Sequence, residues 1–360
     1  MTTFLKLAIP ATITVVVGWS TSTIQSLYAG TMQDPINLAV MGLSSSLGQL
    51  IIDLPLFGIN STQETLTSQA FGAGNLPVCG VYLNRGHFIV IAAFIPLAVG
   101  TILFGEDLLL LLGQDAEVSA LSSALICWLI PGSFCFGHYD LQKRWMAAQH
   151  VNFFPMAALM VGTVLYIPLC YLFFSTLEMG ILGLAYATSI FYGVILIAVL
   201  SYCFSSSHFS QSLQRVDSSA FEGWGAYLRI SMPVTFMMLS DAWLRQILMI
   251  IAGTLGVAHL ACYVVINNVS TVMKHLSAGL TMSASNIISR SMGANDVVLA
   301  KRYYVMINKF CIACFIVVAL TTVFARKPIA ALFSSDEEVR QLTEINLLLL
   351  AIYYPFDGMQ

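Results

Sequence analysis

The chain has 360 residues, 58% of them hydrophobic and only 9% charged. Soluble domains carry about 25% charged residues, so this composition excludes a soluble fold and indicates a polytopic, all-helical membrane protein. The 18 acids and 15 bases nearly cancel, which removes any case for a nucleic-acid surface.

A bilayer core takes about 20 apolar residues per helix, and ten such segments follow one another along the chain. They run over 5–28, 38–60, 87–112, 118–141, 153–175, 179–204, 227–253, 258–284, 304–325 and 340–360. The first apolar run starts at Phe4 and continues for a full span, so no cleavable signal peptide is expected and the first helix itself directs insertion. The long polar stretch from Ser205 to Gly225 carries Arg215, Asp217 and Glu222. It reads as a cytoplasmic linker, dividing the chain into a six-helix lobe at 1–204, the linker at 205–225 and a four-helix lobe at 226–360.

The two lobes repeat one another. At an offset of 223, Pro10, Thr12, Ile24, Ala29, Gly30 and Thr31 meet identical residues at 233, 235, 247, 252, 253 and 254. At an offset of 221, Ser68, Gly72 and Ala73 meet Ser289, Gly293 and Ala294, each set following the second helix of its half. The offset contains an even number of spans, so the copies share one orientation, related by an axis along the membrane normal. The second copy supplies four helices where the first supplies six, and Gln360 lies inside an apolar segment. Two alternatives follow: a longer native chain, or a product lacking two helices.

Charge sets the orientation. With the N-terminus inside, Lys6, Arg85, Lys143, Arg144, Arg215, Arg229, Arg290, Lys301, Arg302 and Lys309 fall on the inner side, against Arg326, Lys327 and Arg340 outside. That imbalance follows the positive-inside rule and predicts a cytoplasmic N-terminus, with the particular membrane left open. All eight cysteines lie in or beside apolar runs. Even the Cys311/Cys314 pair is read as packing rather than as redox or metal chemistry.

Several stretches are specific enough to carry a resemblance. Glu64-Thr65-Leu66-Thr67-Ser68-Gln69-Ala70-Phe71-Gly72-Ala73 resembles the E-T-L-x-Q-A-x-G-A signature of multidrug and toxin extrusion (MATE) transporters, in particular the eukaryotic branch. Gly80-Val81-Tyr82-Leu83-Asn84-Arg85, Leu141 to Gln149, and Ser285 to Asn295 are similar to further stretches of that family, in the expected order. Glu64, Gln69, Gly72 and Gly293 are the family-motif positions. The resemblance implies a two-lobe bundle of twelve helices around a central cleft, of which ten are seen here.

An ionisable side chain at membrane depth costs about 2.5–3.5 kcal/mol on insertion scales, so each one is a candidate. Asp241 and Trp243 match the family's E-x-W-x-x-E pattern, with Gln246 in place of the second acid, and Asp357 matches an acid of the tenth helix in animal members. The resemblance implies a role in proton coupling for Asp241 and Asp357. Arg245, one turn after Asp241, stabilises the ionised carboxylate and opposes proton loading. Lys274 is expected to pair with Asp241 or Asp357. Asp53, Trp243, Gln246, Asn267, Asn268 and Tyr139 are possible cleft-lining residues, the two asparagines lining the cleft or bonding between helices. Asp140 is read as a surface pair with Lys143 and Arg144. The Gly72-Ala73-Gly74 and Gly293-Ala294 stretches are read as tight interfacial turns.

The favoured function is export of an organic, often cationic, solute by alternating access and proton-coupled antiport. H+ is preferred to Na+, and the partners are the solute, the ion and the bilayer. The alternative is a non-transporting structural or assembly subunit with a protein partner, for which Arg245, Lys274 and the missing second acid speak. No cofactor, metal site or enzymatic constellation is expected.

Overall fold

The structure, a computed structural model, describes residues 2–30, 35–333 and 337–357. Among these residues it consists of helices joined by short turns, with no strand. α1 is Thr2–Gly30. α2 covers 35–72 as Pro35–Gly48, a π-helical turn Gln49–Asp53, and Leu54–Gly72. α3 is Leu76–Leu111, α4 is Ala116–Ala148, and α5 is Phe153–Thr176, ending in a second π-helical turn. α6 is Gly180–Ser205. After a strap of two short 3-10 turns come α7 (Trp224–Leu255), α8 (Val257–Gly293), α9 (Val297–Phe333) and α10 (Glu337–Asp357). Among the described residues, each of the ten apolar segments thus corresponds to one helix. The helices run further than the segments because helical hydrogen bonding continues past the hydrocarbon: α3 starts at Leu76, where its apolar run starts at 87.

Eight of the helices are long and apolar enough to cross a bilayer, namely α1 to α7 and α9. α8 does not qualify by composition, and its position explains why. It packs against α1, α2, α7, α9 and α10, so lipid sees little of it and its surface is free to be polar.

The repeat is visible in the packing. Phe4 of α1 is fully buried in the second lobe, in a cluster with Ile287, Ile307, Cys311 and Phe315. Its counterpart at the 223 offset, Tyr227 of α7, is buried in the first lobe against Leu56, Ile89, Val90 and Leu141. Each lobe therefore inserts the start of its own first helix into the other's core.

Between the lobes, α2 and α8 cross backbone to backbone. A Cβ at Gly72 would overlap the Arg290 carbonyl oxygen, and one at Gly293 would overlap that of Gln69. Gln69 and Arg290 are themselves related by the 221 offset, so these two contacts are one contact made twice. Higher up the same helices, a Cβ at Gly58 would lie 2.6 Å from Thr235 Cα, and one at Gly279 2.6 Å from Thr12 N. These too form a repeat-related pair. Without a hydrophobic force between helices in lipid, such close approach of small residues is what joins them. Gly72 and Gly293 are therefore seam residues at helix ends. The turns themselves are made by Gly74 (φ 73°) and Asn295 (φ 58°).

The seam is reinforced by Ser68 Oγ, which donates to Asn286 Oδ1 at 2.7 Å. The Arg290 guanidinium lies 4.9 Å over the Phe71 ring and touches His150 Nε2, from the α4–α5 turn. Burial, with the Arg290 charge and His208 adding to it, pushes the His150 pKa down from 6.5 to about 4. A guanidinium donates only, so Nε2 must stay unprotonated to receive it.

Two outcomes follow. Gly293→Val forces α2 and α8 apart and should lower the thermal midpoint in detergent, while Val at the unhindered Gly100 should not; equal midpoints contradict the seam. The closed seam binds fewer protons at His150 than an unfolded chain, so its stability should fall as pH drops from 6.5 towards 4 and stay level above 7. His150→Gln should flatten that slope, read as thermal midpoint against pH.

Candidate functional site

The second lobe holds a three-charge cluster close to the middle of α7 and α8, about 25 Å from either helix start. Asp241 and Arg245 lie one turn apart on α7 and form an ion pair. Lys274 of α8 places Nζ 3.0 and 3.1 Å from the two Asp241 carboxylate oxygens. The Tyr263 hydroxyl donates to the Arg245 carbonyl at 2.7 Å, tying the base of the cluster to α8. Two cations thus serve one carboxylate, which leaves a net positive charge among the described residues at mid-membrane depth. The Asp241 side chain is 50% exposed, so the cluster is open to one side rather than sealed in a core.

α8 carries this cluster and the inter-lobe contact on adjacent residues. Lys274 turns to α7, while the ring of His275 lies 5.7 Å from that of Trp19 on α1. The same helix ends at Gly293 in the seam. Movement of α8 relative to α1 and α2 therefore acts on the Lys274–Asp241 pair.

At the 221 offset Lys274 corresponds to Asp53 in the first lobe. Asp53 closes the π-helical turn of α2, a local widening often found at functional positions. One of its carboxylate oxygens is buried without a hydrogen-bond partner, and the Ser133 hydroxyl of α4 lies beside it. Nearby, Gln25 Nε2 donates to Thr188 Oγ1 at 2.5 Å, Tyr166 shares that hydroxyl at 2.9 Å, and Thr21 meets Tyr192 at 3.4 Å. The first lobe is lined with a carboxyl and hydroxyls where the second has an ammonium group.

The remaining expected positions divide. Trp243, Gln246 and Asn268 are exposed and Asn267 is half-buried. Gln69 is exposed, with its carbonyl in the seam. Asp357 is the last residue of α10, and its side chain lies outside the described residues. Tyr139 does not line a cleft: it is 2% exposed in the first-lobe core, its hydroxyl donating to Pro155 O at 3.5 Å. Asp140 is no surface residue either. It is fully buried, with Arg144 Nε 2.8 Å from one oxygen and Lys143 Nζ 2.7 Å from the other. Arg144 continues to Glu64 Oε2 at 3.0 Å, and Asn60 Nδ2 donates to Asp140 Oδ2 at 3.2 Å. This joins the Glu64 motif of α2 to the end of α4. Spacing alone put Asp140 next to its bases but could not say that α2 covers them.

Sequence reasoning also passed over His87 of α3 and His138 of α4. Their Nδ1 atoms lie 2.8 Å apart, with Gln142 Oε1 3.3 Å from His87 Nε2. Two histidines inside apolar segments were the available signal.

Removing one member of a buried ion network leaves the others uncompensated, at a cost of about 3–5 kcal/mol. Arg144→Met, which strands Glu64 and leaves Asp140 to Lys143 and Asn60, should therefore unfold far more readily on heating than Arg340→Met, whose pair with Glu337 is exposed. Equal midpoints would show that the network contributes nothing.

Comparison with known proteins agrees with this architecture. The MatE family profile matches residues 10–172 and 233–360, well over half of the chain. The chain is 24% identical over 357 residues to multidrug and toxin extrusion protein 1 of Xenopus tropicalis, covering 98% of this chain and 61% of that protein. It is 26% identical over 360 residues to Protein DETOXIFICATION 38 of Arabidopsis thaliana, covering 99% of this chain and 70% of that one. The chain thus spans about 61–70% of the length of these relatives. Among solved structures, the eukaryotic MATE transporter AtDTX14 superposes with a TM-score of 0.91 at 24% identity, over 99% of this chain and 80% of that one. The Vibrio cholerae MATE transporter VcmN in its bent form gives 0.88 at 21% identity, over 99% of this chain and 81% of that one. The helices, the repeat and the profile match agree: the chain belongs to the MATE (multidrug and toxin extrusion) family and is a multi-pass integral membrane protein.

Proposed function

We propose that this protein extrudes organic, often cationic, solutes across a membrane by alternating access in exchange for protons, with its N-terminus on the cytoplasmic side. The observation that carries the reading is the seam. Two like lobes meet through repeat-related glycine crossings of α2 on α8, the kind of contact about which lobes rock while a site between them changes sides.

Asp241 is the coupling carboxyl in this reading, with Asp357 as its second-lobe companion. In the closed-seam state Asp241 is ionised and held by Lys274 and Arg245. A proton displaces both cations, because a neutral carboxyl no longer attracts them. Lys274 then leaves with α8, and α8 loosens the seam at Gly293. The solute and the proton thereby compete for one mechanical element, which is what exchange requires. Asp53, at the position equivalent to Lys274, gives the first lobe a polar wall, and Trp243 offers an aromatic face to a flat cation.

The same cluster favours a second reading. If Lys274 and Arg245 never release Asp241, the lobes stay locked and the protein serves as a structural subunit held to another membrane protein.

Uptake of a fluorescent organic cation into proteoliposomes, with and without an imposed pH gradient, separates the two. Transport predicts gradient-dependent uptake that Asp241→Asn abolishes and whose pH dependence Lys274→Met changes. An inert wild-type protein that purifies with a stoichiometric membrane partner would overturn the transport reading in favour of the subunit.

A further inference from the structure

The strap covers a helix face in the first lobe whose repeat equivalent in the second is exposed among the described residues. In the first, the strap after α6 lies along the start of α3. Asn84 Nδ2 donates to Gln214 O at 3.1 Å, Arg85 Nη2 donates to Ser219 O at 3.0 Å, and the Phe88 and Phe221 rings stand 4.6 Å apart. The strap comes this close because residue 80 is glycine: a Cβ there would lie 2.8 Å from Gln214 N and overlap the Ser212 carbonyl.

At the 221 offset, Gly80, Val81, Asn84, Arg85 and Phe88 become Lys301, Arg302, Val305, Met306 and Lys309 of α9. The Cβ of Lys301 bars a peptide from lying as the strap does. Instead, Val298, Lys301, Arg302, Val305, Met306 and Lys309 line a groove of about 600 Å³. Lys301, Arg302 and Lys309 are exposed, and none has an ion-pair partner among the described residues. Val298 and Val305 are 62% and 49% exposed. The nearest acid along the helix, Asp296, is occupied in capping it, accepting from Leu299 N at 2.8 Å.

The height of the groove matters as much as its charge. After Lys309 the next charged residue of α9 is Arg326, about 25 Å further on, close to the thickness of a hydrocarbon core. Lys309 therefore stands where hydrocarbon begins, and Lys301 and Arg302 stand at headgroup level. Cations interleaved with apolar side chains at that level match a molecule that is anionic at one end and apolar along the other.

We propose that this face of α9 binds an anionic phospholipid, its phosphate between Lys301, Arg302 and Lys309 and an acyl chain against Val305 and Met306. The bound lipid takes the place that the strap fills in the first lobe, bracing α9 against the seam end of α8.

The test uses the detergent-purified protein titrated with phosphatidylglycerol or phosphatidylcholine of the same acyl chains, bound lipid being counted by native mass spectrometry. Each basic residue beside an anionic lipid is worth about five-fold in binding. The wild type should prefer phosphatidylglycerol, and K301Q/R302Q/K309Q should lose about a hundred-fold of that preference. K309Q alone should lose about five-fold, and K327Q, at the far end of α9, nothing. An unchanged preference in the triple variant overturns the proposal. So does displacement of the lipid by glycerol phosphate alone, which would make the site one for free phosphate, or by an acidic peptide, which would make it a protein-docking face.

Discussion

Two backbones touching without side chains between them is the constraint on which this molecule is built. Where α2 crosses α8, the carbonyls of Gln69 and Arg290 occupy the space in which Cβ atoms of Gly293 and Gly72 would stand. Because the contact is made twice, once from each lobe, it defines an axis, and two further inter-lobe contacts fall around that axis in pairs. Gly58 against Thr235 is answered by Gly279 against Thr12. Phe4 buried in one lobe is answered by Tyr227 buried in the other.

The lobes are alike in backbone and unlike in charge. The first lobe carries a buried Glu64–Arg144–Asp140–Lys143 network that ties α2 to α4, and Asp53 at mid-membrane. The second carries Lys274 at the position equivalent to Asp53, paired to a carboxylate on α7. The first network is buried, whereas the carboxylate of the second is half-exposed. In the proposed mechanism the second lobe is where a proton or a solute shifts the balance. α8 is the shared element, because the Lys274 pair, the His275–Trp19 contact and the Gly293 crossing lie on one helix.

Much of this was legible beforehand. Ten apolar runs, their offset repeat and the ordered motifs specified the helices and the family, since lipid imposes length and apolarity on every span. That Lys274 needs a carboxylate, Asp241 or Asp357, followed from the cost of a lone charge at depth; that the carboxylate is Asp241 is what the structure adds. What sequence could not supply was facing. Tyr139 reads as cleft lining and Asp140 as a surface pair, but the end of α4 is covered on every side and leaves no polar periodicity to say so. Gly72 and Gly293 looked like turn formers because glycine serves turns and close crossings alike, and only the opposing carbonyl distinguishes them. The segment 258–284 reads as a span like the others, yet α8 is less apolar than its chain neighbours α7 and α9 because it packs against protein.

The central claim is that the α2–α8 seam must open for the protein to work. Ser68 and Asn286, bonded across it at 2.7 Å, can be replaced by cysteine in a background freed of other reactive thiols and joined by mild oxidation. The account predicts that the oxidised protein remains folded, transports nothing in proteoliposomes, and recovers on reduction. A cross-linked protein that moves solute as fast as its reduced form would contradict it.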